Sequence, residues 1–165
     1  MLVPDGDAVL DHVAVAGRRI RDLLPIYRDL LGGTFVAGGD NVRVGYRGIQ
    51  LRYPDGSKIE LLEPLGGSSF LDRFLDRGGG VHHLTFRVGN VQGAVRAMEG
   101  AGYTPVGLFV DDEDWREVFL HPRETGGVLI QLGQFGAGWD ERVGGFTLEE
   151  TLAGQGAEGN GIPSP

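Results

Sequence analysis

"KIELLEP", residues 58–64, decides how this chain is read, because it carries a carboxylate in the middle of a stretch that otherwise has the pattern of a core β-strand. Successive side chains of a strand point to opposite faces, so Ile59 and Leu61 share one face while Lys58, Glu60 and Leu62 share the other. An ionised Glu60 among apolar neighbours costs on the order of several kcal/mol unless something pairs with it. The balancing groups have to come from elsewhere in the sequence.

Working outward, the strand closes a run of the order β, α, β, β, β. "AVLDHVAVA" (8–16) is a short β-branched run, and "RRIRDLLPIYRDLLGG" (18–33) spaces Ile20, Leu23, Leu24, Tyr27, Leu30 and Leu31 at helical intervals before Gly32-Gly33 stops the pattern. Pro25 lacks an N–H, so this helix starts late or bends there. "TFVAG" (34–38), "NVRVGYRGIQLRY" (41–53) with bulges expected at Gly45 and Gly48, and a turn at Pro54-Asp55-Gly56 lead into "KIELLEP". "LGGSSFLDRFLDRGGG" (65–80) has the composition of a linker holding one short helix, with Ser69 as its cap. The order then restarts: strand "VHHLTFRV" (81–88), helix "VQGAVRAMEGAG" (91–102), and strands "PVGLFV" (105–110), "WREVFLHP" (115–122) and "GGVLIQLGQ" (126–134).

The two runs align as an internal repeat. Laying "DHVAVA" on "HHLTFR" pairs His12 with His83, and laying "KIELLEP" on "VLIQLGQ" pairs Glu60 with Gln131. The separation is 48 residues in each copy, from His12 to Glu60 and from His83 to Gln131. Alternation puts all four on the face opposite the apolar set: Val13 and Val15 oppose His12, Ile59 and Leu61 oppose Glu60, Leu84 and Phe86 oppose His83, and Val128, Ile130 and Leu132 oppose Gln131. The expected architecture is α+β, two tandem βαβββ modules at 8–64 and 81–134 joined by a linker at 65–80. Residues 135–165 follow as a Gly-rich, flexible extension in which "TLEETLAG" (147–154) could form a short helix from a Thr cap. Two imidazoles, one carboxylate and one amide brought to a shared cleft form a ligand set for one divalent metal ion. Neutral nitrogen and oxygen donors suit Zn, Co, Ni, Mn or Fe without choosing among them.

Bulk composition narrows the partners. With 165 residues, 41% of them hydrophobic, the chain has enough apolar material for one compact domain or two halves sharing a core. A net charge of −8, with no basic run beyond Arg18-Arg19 and nearby Arg21, speaks against nucleic acid. Cysteine is absent, which removes disulfides, thiolate metal sites and cysteine nucleophiles together and fits a cytoplasmic protein. No stretch approaches the ~18 apolar residues of a membrane span, and "MLVPDGDAVLDHV" lacks the basic and apolar regions of a signal peptide, so a soluble, unprocessed chain is expected.

Other polar residues divide by position. His82 points away from His83 and fits a strand-end or interface role; His121, just before Pro122, fits a turn or pocket rim. Asp111–Asp114 ("DDED") lacks the alternating spacing and glycine of a calcium loop and is expected to be a solvated turn. Arg18, Arg19 and Arg21 fit a surface role at a helix start. Arg87, on the same strand face as His83, is a candidate for a substrate carboxylate, since a guanidinium inside a cleft supplies both charge and orientation; a strand-end ion pair is the alternative.

The succession "LDHVAVA", "KIELLEPL", "GGGVHHLTFRV", "FLHP" and "TGGVLIQL" resembles the vicinal oxygen chelate superfamily, and within it the methylmalonyl-CoA epimerases, over residues 10–134. The resemblance implies paired modules forming a curled mixed sheet around a central metal, with ligands from the first and fourth strands of each module: His12, Glu60, His83 and Gln131. It also implies a homodimer and an isomerase that removes a proton α to a carbonyl or thioester, on an acyl-CoA or a thiol adduct. Epimerases of this kind use a metal-bound carboxylate in the second module and another acid ahead of the third strand of the first. This chain has Gln131 at the former position and only Asp40 near the latter, so Glu60 becomes the catalytic candidate. A glyoxalase I-like lyase acting on a hemithioacetal and a non-catalytic antibiotic-binding protein share the fold and stay open as alternatives.

Overall fold

A computed structural model of the chain describes residues 8–66, 70–139 and 145–155. The expected cap at Ser69 lies outside the described residues. The strands are β1 (Val9–Ala16), β2 (Thr34–Asn41), β3 (Tyr46–Arg52), β4 (Lys58–Pro64), β5 (Gly80–Arg87), β6 (Pro105–Phe109), β7 (Trp115–Leu120) and β8 (Leu129–Phe135). The helices are α1 (Ile20–Leu24), α2 (Asp72–Leu75), α3 (Val91–Gly100) and α4 (Leu148–Leu152). The strands make a mixed sheet of eight in the order β2-β3-β4-β1-β5-β8-β7-β6, with few helices, so the α+β class and the repeated βαβββ order are both present.

Contacts divide the chain into two compact units. One holds the chain up to His12 together with His83–Trp139; the other holds Val13–His82 and the described part of the C-terminal extension. The division therefore passes through the middle of β1 and β5 rather than through the linker.

In the second of these units β1 runs parallel to β4, with Val13 opposite Ile59 and Ala14 opposite Glu60, and β4 runs antiparallel to β3, with Gln50 opposite Glu60. The apolar faces meet α1 as alternation requires: Val15, Ile20, Leu24, Ile49, Leu51 and Leu61 form one cluster, with Leu23 and Tyr27 packed on it. The N-terminus of α1 has no capping side chain of its own, and Glu63 of β4 accepts from the Ile20 N–H at 2.6 Å instead. At Pro25 the chain passes into a π-helical turn, Pro25–Leu30, in which Leu31 N–H reaches back to Ile26 O at 2.9 Å. The wider turn changes the helical period, so Leu30 and Leu31 leave the apolar stripe the sequence assigned them to and are 77% and 54% exposed.

Gly45 and Gly48 are not bulges. Gly45 occupies the β2–β3 turn with φ +84°, Gly48 pairs regularly with Gly39, and the irregularity lies in β2 between Phe35 and Ala37. A backbone that needs positive φ at a hairpin turn selects glycine there as strongly as a bulge does. On the Glu60 face, Ala14, Ala16 and Leu62 pack with Leu71 and Leu75 of the α2 segment.

The expectation of a flexible extension does not hold for residues 147–153. Thr147 and Glu150 form a reciprocal capping box on α4, and Leu152 joins the α1 cluster. The helix is admitted by Gly38: a Cβ there would lie 2.8 Å from Gly48 O and 3.1 Å from the Thr151 methyl.

In the other unit β5 is parallel to β8, with Thr85 opposite Gln131, and β8 is antiparallel to β7, with Phe119 opposite Gln131 and Glu117 opposite Gly133. Thr85 thus stands to Gln131 as Ala14 stands to Glu60, the register that the internal repeat requires. Helix α3 is capped by Asn90, whose Oδ1 accepts from Gly93 N–H at 2.8 Å, and buries Val91, Ala94 and Met98 against Val88, Val118 and Leu132.

Candidate metal centre

The strand faces opposite α1 and α3 carry the polar residues. His12, Glu60 and His83 are all at least nine-tenths buried, and each offers a ligand atom within 4.8 Å of the others. Imidazole nitrogen and carboxylate oxygen are the donor types that bind a divalent ion at about 2.0–2.2 Å. Two neutral imidazoles and a carboxylate also leave a divalent ion with net positive charge, which is the balance the Glu60 carboxylate needs in a buried setting. The donor set fits a divalent cation.

Neighbouring residues orient the candidate ligands. His12 Nδ1 is 2.7 Å from Asp11 Oδ1, and Trp139 Nε1 donates to the same carboxylate at 3.3 and 3.4 Å. A proton on His12 Nδ1 toward Asp11 would leave Nε2 as the ligand atom, the arrangement by which carboxylates fix metal-binding histidines. The rings of His12 and His83 meet edge to face with centroids 5.8 Å apart. Thr85, fully buried, lies 3.0 Å from His12 Nε2 and donates to Gln131 Oε1 at 2.5 Å.

Gln131 is on the expected face, buried, with its oxygen turned toward Thr85 and its Nε2 donating to Glu117 Oε2 at 2.5 Å. Glu117 is fully buried and was not singled out from sequence. Its signal is the same as that of Glu60, a carboxylate at the centre of an apolar strand, "WREVFL", on the face of Trp115 and Phe119. Gln50 was also missed. It is in register with Glu60, 3% exposed, and its Nε2 has no hydrogen-bond partner.

Other candidates resolve differently. Asp40 is held by Arg47, which donates to its two oxygens at 2.5 and 2.8 Å. Arg47 also reaches Glu63 at 3.3 Å and Leu152 O at 2.8 Å, and the hydrogen bonds it donates to Asp40, together with the Asp40 charge, hold the guanidinium above its ordinary pKa. Arg87 sits half-buried on the His83 and Thr85 face of β5, opposite Gly133. His82 packs against the rings of Phe70 and Phe74, and His121 caps a short 3-10 turn by accepting from Arg123 N–H at 3.1 Å. In the "DDED" stretch Asp112 accepts from Asp114 N–H, an ordinary turn bond. Arg18, Arg19 and Arg21 form exposed pairs with Asp76, Asp22 and Glu149.

The family model described as the Glyoxalase/Bleomycin resistance protein/Dioxygenase superfamily matches residues 11–119, a stretch that includes His12, Glu60 and His83 and ends before Gln131. The chain belongs to this superfamily. It is 32% identical over 142 residues to the mitochondrial methylmalonyl-CoA epimerase of Mus musculus, covering 76% of this chain and 72% of that one. It is 32% identical over 130 residues to the ethylmalonyl-CoA/methylmalonyl-CoA epimerase of Cereibacter sphaeroides, covering 76% and 96%. The crystal structure of methylmalonyl-CoA epimerase from Mycobacterium tuberculosis matches with a TM-score of 0.70 at 32% identity, over 78% of this chain and 88% of that one. Within its superfamily the chain is a methylmalonyl-CoA epimerase-like enzyme, an isomerase.

Proposed function

We propose that this chain holds one divalent cation on His12, Glu60, His83 and Gln131 and interconverts the two configurations at the α-carbon of a 2-methylmalonyl-type acyl-CoA thioester. The observation that carries the reading is the buried His12, Glu60 and His83 group with ligand atoms within 4.8 Å of one another. Its likeness to acyl-CoA epimerases supports this chemistry over the glyoxalase-like lyase and the antibiotic binder. Bound there, the cation supplies a Lewis acid that polarises the thioester carbonyl and offsets the negative charge developing on its oxygen.

The chain's own residues do the rest. Asp11 keeps His12 Nε2 facing inward, Glu60 accepts the α-proton from one face of the substrate, a proton from solvent water returned to the opposite face completes the inversion, and the Arg87 guanidinium pairs with the substrate carboxylate. Gln50 donates its buried, unpartnered Nε2–H to a substrate oxygen, a role supported by its register opposite Glu60. A cytoplasmic homodimer belongs to the same proposal. Among the described residues no helix is long and apolar enough to cross a membrane.

The test is proton exchange. Incubating the protein with methylmalonyl-CoA in D₂O should place deuterium at the α-carbon, seen by mass spectrometry, and His83→Ala should abolish it together with stoichiometric transition metal by elemental analysis. No exchange from metal-loaded protein, combined with turnover of methylglyoxal adducts of several thiols, would return the lyase reading.

A further inference from the structure

A carboxylate presents oxygen to a cation whichever way it turns, whereas a glutamine amide presents oxygen on one side and N–H hydrogens on the other. An N–H aimed at a cation repels it, so Gln131 serves as a ligand only in one of two amide orientations of nearly equal shape. We infer that Glu117 is the positioning residue that selects this orientation, an inference that rests on the metal-binding reading given above.

Two independent contacts agree on it. On one side of the amide Glu117 Oε2 accepts from Gln131 Nε2 at 2.5 Å, and on the other Thr85 Oγ1 donates to Gln131 Oε1 at 2.5 Å. Thr85 lies 3.0 Å from His12 Nε2, so the pinned oxygen is on the side of the candidate centre. Glu117 reaches the amide because it is one alternation step from Phe119, the residue in register with Gln131, and so shares its face; the residue opposite Glu117 is Gly133, which has no side chain to separate the two. The strand pair therefore has room for a second carboxylate beside a position that already carries a polar group. At full burial, this carboxylate is kept where it costs most, and a site function accounts for its presence.

The readout is metal affinity, measured by Co²⁺ competition with a chromophoric chelator on the full chain, with circular dichroism as the check of folding. Glu117→Gln lets the two amides pair in either direction, and the expected result is a loss of about tenfold or more in Co²⁺ affinity, as for other residues that orient ligands from behind. Combining Glu117→Gln with Gln131→Glu restores an oxygen ligand that has no wrong orientation, so the double variant should recover parental affinity; a merely structural role of Glu117 predicts no such rescue. Parental Co²⁺ affinity in Glu117→Gln overturns the inference, as does a double variant no tighter than the single one. Retained Co²⁺ affinity with lost α-proton exchange overturns it in favour of proton transfer by Glu117. If Glu117→Gln does not fold, Thr85→Val removes the other pin and should weaken Co²⁺ to a similar degree, and parental affinity there overturns the inference. A parent that binds no Co²⁺ removes the metal reading itself and this inference with it, whereas a parent that binds it and a variant that binds equally removes this inference alone.

Discussion

At the scale of single residues, the site is defined by polar atoms held in an apolar setting, and Gln50 is the sharpest case. Its Nε2 is buried without a partner, a state that costs about 1–3 kcal/mol. Replacing it by leucine of similar reach should leave stability unchanged or raise it by about 1 kcal/mol in urea unfolding, because the unsatisfied donor disappears. The same Gln50→Leu change should raise KM for the thioester by about tenfold, the equivalent of one lost hydrogen bond of ~1.4 kcal/mol. A fall in stability with unchanged KM would make Gln50 a packing residue. The internal repeat matches neither Gln50 nor Glu117 to a like residue: Gln50 stands opposite Glu60, but Phe119 stands opposite Gln131, so the pair of strands around each candidate ligand is not equivalent.

At the scale of elements, Arg47 joins more pieces than any pattern in the sequence announces. From β3 it bridges Asp40 of β2, Glu63 of β4 and the carbonyl end of α4 at Leu152. Arg47→Met should cost about 3 kcal/mol in chemical unfolding, since it leaves two largely buried carboxylates without their cation; restoring the loss by Asp40→Asn in the same chain would locate the effect in that pair. Helix α4 has its own pH dependence. Hydrogen bonds from Thr147 backbone and side chain hold the Glu150 carboxyl below its ordinary value of 4.5. A folded-state pKa below the unfolded one means the capping box contributes fully at pH above about 4.3 and loses that contribution as pH falls through the lower, folded value. Protection factors of amides 149–153, with the pH dependence of the intrinsic exchange rate divided out, should therefore fall on acidification below pH ~4, and in Glu150→Gln this step should be missing.

At the scale of the molecule, the proposed ion, bound only by the folded chain, would tie the repeat to stability. Ligand present at about a hundred times its dissociation constant adds roughly 2.7 kcal/mol to the folded state. Adding Co²⁺ to chelator-treated protein should raise its melting temperature, EDTA should reverse the rise, and His83→Ala should show neither. A melting temperature indifferent to metal in the parent would contradict the ligand assignment.

The sequence by itself determined the class of fold and the face on which the candidate ligands lie, because both follow from local rules. Period-two alternation assigns Glu60, His12, His83 and Gln131 to a side, and the common 48-residue separation assigns them to matching strands. Tertiary structure alone decided which polar groups meet. Asp40 is claimed by Arg47, Gln131 is clasped between Thr85 and Glu117, the π-helical turn after Pro25 rotates Leu30 and Leu31 away from the core, and α4 packs into the gap that Gly38 leaves. Those outcomes depend on ångström-scale distances between strands and helices far apart in the chain, and alternation along a strand carries information about direction only.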